Sequence, residues 1–385
     1  MRQNNKYYIS IVFVFLPVVL LCQENRAVLN YSGQLSAVHV SKFSRPYEMC
    51  NGLRYIPKLE AGFTFKNGVK IDGEASLNGS MQSSWVSNDT LTFDGRLKPY
   101  RIWARFAGER YELRAGLQKI NFGSAVMLRP LMWFDQMDPR DPLQLTDGVY
   151  ALLGRYFFQN NANIWLWGIW PGKNPKGWEM MASDRYRPEF GGRVQVPAGP
   201  GEIALSTHYR FIGTDQTNGT LPVTQEEPVP EFRIGLDGKW DIGPGIWFEG
   251  TYTYSDSISG DIKHQRMLTL GVDYTFGIGN GLTCMAEQFI YSMGSAMWES
   301  SKSMNFTATS LTYPINLTHS LSAMVFYNWE DNDWYRFINW GISLTNISFY
   351  LIAFWNPDRF DLYQNTGNSN LMGGKGIQVM FVWTH

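Results

Sequence analysis

Arginines recur at alternate positions along the middle of this 385-residue chain, interleaved with apolar residues. A period of two places successive side chains on opposite faces of a β-strand, so these arginines share one polar face with neighbouring carboxylates. Charged side chains arranged in this way could order water and sort solutes by charge in a passage, or could only form ion pairs with one another. The residues that we assign to this face are Arg101, Arg105, Glu112, Arg114, Arg155, Arg193, Arg210, Arg233, Asp237, Lys239, Glu249 and Asp273.

Catalysis and nucleic-acid binding find no support in the sequence. No histidine lies in a recognisable nucleophile motif, and the chain contains no Gly-x-Ser-x-Gly sequence. The formal net charge of −1 provides no basic field for nucleic acid. We therefore expect no enzyme activity, no cofactor, no metal and no nucleic-acid partner.

The first residues predict export from the cytoplasm. Arg2 and Lys6 precede an almost wholly apolar stretch at residues 9–21, and polar residues begin at Gln23. A short charged start, an apolar stretch and a polar exit are typical of a secretory signal peptide. We assign residues 1–22 to the signal peptide and residues 23–385 to the mature protein.

The mature chain alternates with period two in eighteen segments between residues 28 and 384, of which the second spans residues 58–65. The gaps between the segments alternate in length. Gaps after even-numbered segments hold two to five residues, whereas gaps after odd-numbered segments hold four to twenty-seven. Nothing in a soluble β-sandwich requires every tight turn to follow an even-numbered strand. A transmembrane barrel does, because its short turns lie in the periplasm and its long loops lie outside.

These patterns predict an all-β fold, a transmembrane antiparallel up-and-down β-barrel of about 18 strands, with 16–18 plausible. A secreted β-sandwich or propeller is the alternative. In a barrel the apolar faces contact outer-membrane lipid, and the charged face lines the interior. The strand map places Cys50 and Cys284 at opposite rims, so we expect two free thiols. It also places residues 211–230 outside the cell.

The longest gap, residues 121–147, is here called the long loop. It is apolar enough to need burial, and the interior of the barrel is the place where it would be covered. We predict that it forms a constriction there. The residues assigned to it are Met127, Leu128, Pro130, Trp133, Phe134, Asp138 and Asp141. Its aspartates are candidate Ca²⁺ ligands, but the interleaved prolines favour turn capping.

The segment that ends the fifth strand and begins the long loop resembles alginate-export-like and related outer-membrane porins. These often carry a Gly-x-Gln-x-(Ile/Val)-x-(Phe/Trp)-Gly strand end followed by a Pro- and Asp-containing loop. The matching residues are Gly116, Gln118, Ile120, Phe122, Gly123, Pro130, Trp133, Asp138, Pro139 and Asp141. The resemblance implies an eighteen-stranded monomeric barrel that passes small or polyanionic solutes.

Our first functional hypothesis is a passive channel for small polar or anionic solutes in the outer membrane of a Gram-negative bacterium. The alternative is a structural or assembly component of a secretion or surface-glycan system, with a plugged barrel. An outer-membrane lipase or protease is a third hypothesis, disfavoured by the missing catalytic motifs. The sequence names no solute.

Overall fold

The computed structural model describes residues 26–87, 91–213, 227–256, 263–358 and 372–385. The predicted signal peptide at residues 1–22 lies outside the described residues, and so does most of the predicted outer loop 211–230. Within the described ranges, no helix is long and apolar enough to span a membrane.

The described chain forms eighteen antiparallel strands. Their bounds are β1 Arg26–Lys42, β2 Glu48–Thr64, β3 Lys70–Val86, β4 Thr92–Ala107, β5 Tyr111–Gln118, β6 Val149–Phe157, β7 Asn163–Trp170, β8 Glu189–Ala198, β9 Gly201–Ile212, β10 Val229–Asp241, β11 Gly245–Ser255, β12 His264–Phe276, β13 Leu282–Gly294, β14 Lys302–Pro314, β15 His319–Asn328, β16 Asp333–Ser343, β17 Ile347–Trp355 and β18 Lys375–Thr384.

Each strand pairs with the next, and β1 pairs with both β2 and β18, so that the sheet closes on itself. Closure satisfies the backbone hydrogen bonds that an open sheet edge would leave unmade. The predicted all-β barrel of eighteen strands is confirmed. The predicted start of the second strand at residue 58 is wrong, because β2 already begins at Glu48.

Short turns gather at one rim of the barrel, and longer connections gather at the other. Two of the short turns use a positive φ, 81° at Gly68 and 64° at Asn161, a conformation that glycine and asparagine adopt with little strain. Aromatic pairs lie beside the short turns, for example Phe106 with Tyr111 and Tyr274 with Phe276, whose ring centroids are 5.7 and 4.9 Å apart. Aromatic side chains at this level are typical of the girdles that mark a membrane interface.

Successive residues of a strand face opposite environments. Leu236 is 43% exposed on the outside of β10, whereas the next residue, Asp237, is 2% exposed on the inside. Similar exposed leucine, isoleucine, valine, phenylalanine and tyrosine side chains recur on most strands, where water would be an unfavourable neighbour. The barrel therefore has an apolar exterior, and its functional groups must be sought inside.

Candidate functional site

Charged residues line the inner face of β3–β11, which we call the charged wall. Near the short-turn rim, Arg105 donates to both oxygens of Asp72 at 2.9 and 2.8 Å. It also reaches Glu112 at 3.4 Å, and Glu112 lies 2.9 Å from Arg114 and 3.7 Å from Arg155. We call these five side chains the rim cluster. Its three guanidinium groups exceed its two carboxylates, and all five side chains keep some exposure, from 11% to 24%.

Indole rings support the arginines of the rim cluster. The guanidinium carbon of Arg155 lies 3.8 Å from the centroid of Trp165, and that of Arg114 lies 4.7 Å from the centroid of Trp103. Cation–π contacts of this kind hold a guanidinium in place without neutralising its charge. The cluster therefore keeps a local excess of positive charge.

Deeper in the barrel the charges are paired and closed to solvent. Arg193 donates to the two oxygens of Asp237 at 2.5 and 2.9 Å, and both side chains are 3% exposed. Nearer the long-loop rim, Arg210 and Arg233 both donate to Glu231, at 2.5 and 2.6 Å. These buried pairs agree with the alternative in which charges on this face neutralise one another.

The remaining wall residues assigned from sequence have varied roles. Arg101 donates to the carbonyl oxygens of Tyr100 and Thr146, which ties β4 to the end of the long loop. The amine of Lys239 lies 5.7 Å from the ring centroid of Trp247. Asp273 is half-buried on β12, opposite Gly245 in register. These residues do not join the rim cluster.

Two carboxylates on the inner face of the barrel hold the long loop. Glu249 on β11 accepts the backbone N–H groups of Ala125 and Leu131, at 2.8 and 2.5 Å. Glu287 on β13 accepts the N–H groups of Val126, Met127 and Leu128, at 2.7, 3.0 and 2.6 Å. Buried N–H groups need acceptors, and these two carboxyl groups together accept five of them. The loop is therefore anchored through its main chain.

Most of the large apolar side chains of the long loop are buried, although Val126 is 45% exposed. Met127, Leu128, Pro130, Trp133 and Phe134 all lie out of contact with solvent. Trp133 and Phe134 pack among aromatic residues of β7 and β9, with the ring of Phe134 at 5.0 Å from that of His208. Met127 and Leu128 instead pack against β13–β17. Because one loop touches both sides, it runs across the interior.

The aspartates of the long loop make turn and ion-pair contacts. Asp135 pairs with Arg129 at 3.0 Å, and Asp138 pairs with Arg140 at 2.6 Å. Asp141 accepts the N–H of Leu143 at 3.0 Å, and burial raises the pKa of its carboxyl. At the start of the loop, burial lowers the pKa of the Lys119 ammonium.

An apolar sector faces the interior where the sequence predicts a polar one. Cross-strand partners Phe289 with Phe306, and Phe337 with Phe354, form it together with Phe326. We call this inner face of β13–β18 the apolar wall. The expectation that the whole inner face is polar is wrong for these strands, because they are covered by loops and not by water. Apolar residues on both faces also explain the weak alternation of these segments.

Sequence reasoning missed a second inward loop, residues 171–188, here called the β7–β8 loop. The Trp178 ring stacks on Phe289 at 5.3 Å, and its indole N–H donates to the carbonyl of Arg129 at 2.8 Å. Lys176 donates to Glu189 at 2.6 Å. The signal was present, because Trp178, Met180 and Met181 give this loop the same unexplained apolar content as the long loop.

Several solved structures share this architecture, and one of them is described as an outer membrane protein. OccK7 (OpdD) of Pseudomonas aeruginosa aligns over 94% of this chain and 99% of its own, with a TM-score of 0.55 and 10% identity. OccK5 (OpdH) of the same species aligns over 93% and 97%, with a TM-score of 0.54 and 11% identity. The trimer form of OmpT, an outer membrane protein of Vibrio cholerae, aligns over 93% and 99%, with a TM-score of 0.51 and 9% identity. The fold is that of an outer-membrane porin.

No protein-family model and no curated protein sequence matches this chain. The similarity to outer-membrane porins therefore rests on structure and not on sequence. The resemblance to alginate-export-like porins stays a prediction.

Proposed function

We propose that this protein is a porin-like channel in the outer membrane of a Gram-negative bacterium, through which small polar or anionic solutes pass passively. The observation that carries the proposal is the rim cluster, an excess of guanidinium groups on the inner face of a closed barrel. Positive charge beside a low-dielectric wall raises the local concentration of anions.

The long loop supplies the narrowing of the proposed channel. It crosses the interior, is anchored at Glu249 and Glu287, and contains Pro130, Pro139 and Pro142, which restrict its backbone. A loop held in this way acts as a fixed constriction and not as a flapping lid. Of the wall residues assigned from sequence, Arg105, Glu112, Arg114 and Arg155 line the passage. The apolar exterior contacts lipid, and the barrel works as a monomer.

Planar-bilayer recording with the purified protein tests this function. We expect stable open steps and a reversal potential that indicates a preference for anions. The double variant Arg105→Gln with Arg155→Gln should move that potential toward cations while the barrel still inserts. Arg96→Gln is the matched control, because Arg96 pairs with Asp94 at 2.8 Å in an exposed part of β4. An open pore whose selectivity is the same in all three proteins contradicts the proposal.

A plugged structural component is the second candidate, and one observation favours it. Two loops lie inside the barrel, and the arginines beneath them are fully paired with carboxylates. A protein of this kind would insert into the membrane and run on a gel as a heat-modifiable folded band. It would give no conductance. The unaltered protein separates the two candidates, because only a channel conducts with both loops in place. Shortening residues 125–143 to a Gly-Ser linker should then raise the conductance of that channel.

A further inference from the structure

The side chain of Glu179, a residue of the β7–β8 loop, places its carboxylate against the charged wall. Its Oε1 accepts from Arg233 at 3.0 Å, and its Oε2 lies 3.2 Å from Arg210. The backbone N–H of Lys176 donates to the same Oε2 at 2.8 Å. The side chain of Glu179 is 0% exposed, although the residue belongs to the β7–β8 loop and not to a strand.

The wall beneath Glu179 is built to receive an anion. Among the described strands, Glu231 is the carboxylate that bonds both Arg210 and Arg233, because the nearby Glu189 of β8 is held by Lys176 and His208. An uncompensated buried charge is unfavourable, so this place demands a negative group. In the folded protein the β7–β8 loop supplies that group.

A narrow cleft adjoins the two arginines. Its free volume is only about 10 Å³, so little more than one water fits while the β7–β8 loop is docked, and it is bordered by both arginines and by Trp133, Trp178, Met180 and Met267. One side of the cleft therefore offers guanidinium groups and another offers indole rings and thioethers. That combination suits a molecule with an anionic head and an apolar body.

We propose that Glu179 is a tethered carboxylate that occupies the binding site of an amphipathic organic anion. Arg210 and Arg233 bind the anionic head of this solute, and its apolar body takes the place that Trp178 leaves beside Phe289, Trp133 and Met267. The solute competes with Glu179 and releases the β7–β8 loop from the interior. The inference rests on the proposed channel function, because the solute reaches the site from within the barrel.

Release of the β7–β8 loop would also uncover the long loop, which stays anchored at Glu249 and Glu287. Trp178 donates to Arg129, and the backbone at Gly177 approaches so closely that an added Cβ would lie 1.6 Å from the carbonyl oxygen of Met132. The two inward loops therefore pack directly on each other. Displacement of Glu179 by a solute frees the loop that covers the constriction.

Equilibrium binding to the detergent-folded protein tests the site, with 3-phenylpropionate as the probe. Acetate lacks the apolar body and 3-phenylpropanamide lacks the charge, so both should bind more weakly. Glu179→Gln removes the competitor, and we expect the affinity for 3-phenylpropionate to rise about tenfold if the loop is docked about nine-tenths of the time. Hydrogen exchange of residues 171–188 should accelerate in the same variant and, in the wild type, on addition of the probe.

Asp184→Asn is the matched control, since Asp184 lies in the same loop and accepts the N–H of Tyr186. It should leave the affinity unchanged. Gly177→Ala keeps Glu179 but displaces the loop, because the new methyl group meets Met132; it should reproduce the gain in affinity. An affinity that is equal or weaker in both Glu179→Gln and Gly177→Ala overturns the proposal.

The outcome separates this inference from the channel itself. Binding and exchange need no conductance, so a silent barrel in which Glu179→Gln gains affinity refutes the channel and keeps the site. A conducting barrel in which neither variant gains affinity refutes the site and keeps the channel.

Discussion

The charged wall and the apolar wall occupy opposite sides of one barrel, and their buried inward-facing side chains are satisfied in different ways. On the charged wall, side chains such as Arg193 and Asp237 satisfy one another across neighbouring strands. On the apolar wall, Phe289 and its neighbours are covered by side chains from two loops. The charged wall pairs most of its charges across its own strands and takes one further carboxylate, Glu179, from a loop, whereas the apolar wall is covered throughout by segments that are not strands. The difference teaches that the loops are part of the fold and not accessories to it.

The largest expected effect lies on the apolar wall. Phe289 is fully buried and stacks on Trp178, so Phe289→Ala should lower the free energy of unfolding by about 3–5 kcal/mol. Urea unfolding in lipid vesicles, followed by gel mobility, measures this loss. The neighbouring Ile290→Ala, on the lipid-facing side, is the control and should cost clearly less. Equal losses at both positions would mean that the loops contribute nothing to the apolar wall.

A charge placed on the wrong face comes next. Leu236 faces outward beside the inward Asp237, and Leu236→Arg should cost ~2–4 kcal/mol if it lies near the bilayer midplane. We expect the fraction of inserted barrel to fall while the ion selectivity of the inserted molecules is unchanged. Leu236→Val serves as the control. A variant that inserts normally would place this face away from lipid.

Breaking one pair of the charged wall should have a smaller effect. Asp237→Asn leaves the buried Arg193 without a carboxylate and should cost about 1–3 kcal/mol in unfolding free energy. Replacing both partners by apolar residues, as Arg193→Met with Asp237→Leu, should restore most of the loss, because the desolvated charges are then gone. If the double variant is as unstable as the single one, the ion pair also positions neighbouring parts of the structure.

The smallest effect concerns pH and the long loop. Burial raises the folded pKa of Asp141 above its unfolded value, so its contribution to stability is present at low pH and is lost as pH rises through the folded pKa. Asp141→Asn removes this penalty and should become slightly more stable than the wild type as pH increases above about 4. Unfolding midpoints measured from pH 4 to pH 8 show the divergence. Parallel curves for the two proteins would contradict it.

The strands could be predicted because closure leaves a periodic trace in the sequence. Alternation and the parity of the short turns follow from the backbone alone, and they placed all eighteen strands. The start of β2 was missed because Pro57, which has no N–H, lies where the pairing of β2 with β3 is interrupted between Tyr55 and Lys58. A proline in such a segment resembles the end of a strand.

The inside of the barrel was less predictable. Alternation assigned Arg193 and Asp237 to one face, but it could not tell that they bond to each other. The apolar wall and Glu179 depend on where two loops fold, which no local period records. Glu287 was overlooked for the same reason, since its partners are main-chain groups about 160 residues away along the chain.

The anchoring of the long loop has a consequence for how such a protein can diversify. Glu249 and Glu287 recognise the main chain of residues 125–131, and the one proline in that stretch, Pro130, stands where neither carboxylate needs an N–H. Most substitutions in this stretch keep the anchors, since every residue except proline brings the same donor. Genetic drift can therefore change the loop's side chains, and with them the inner surface of the barrel, while Glu249 and Glu287 preserve the path of its main chain.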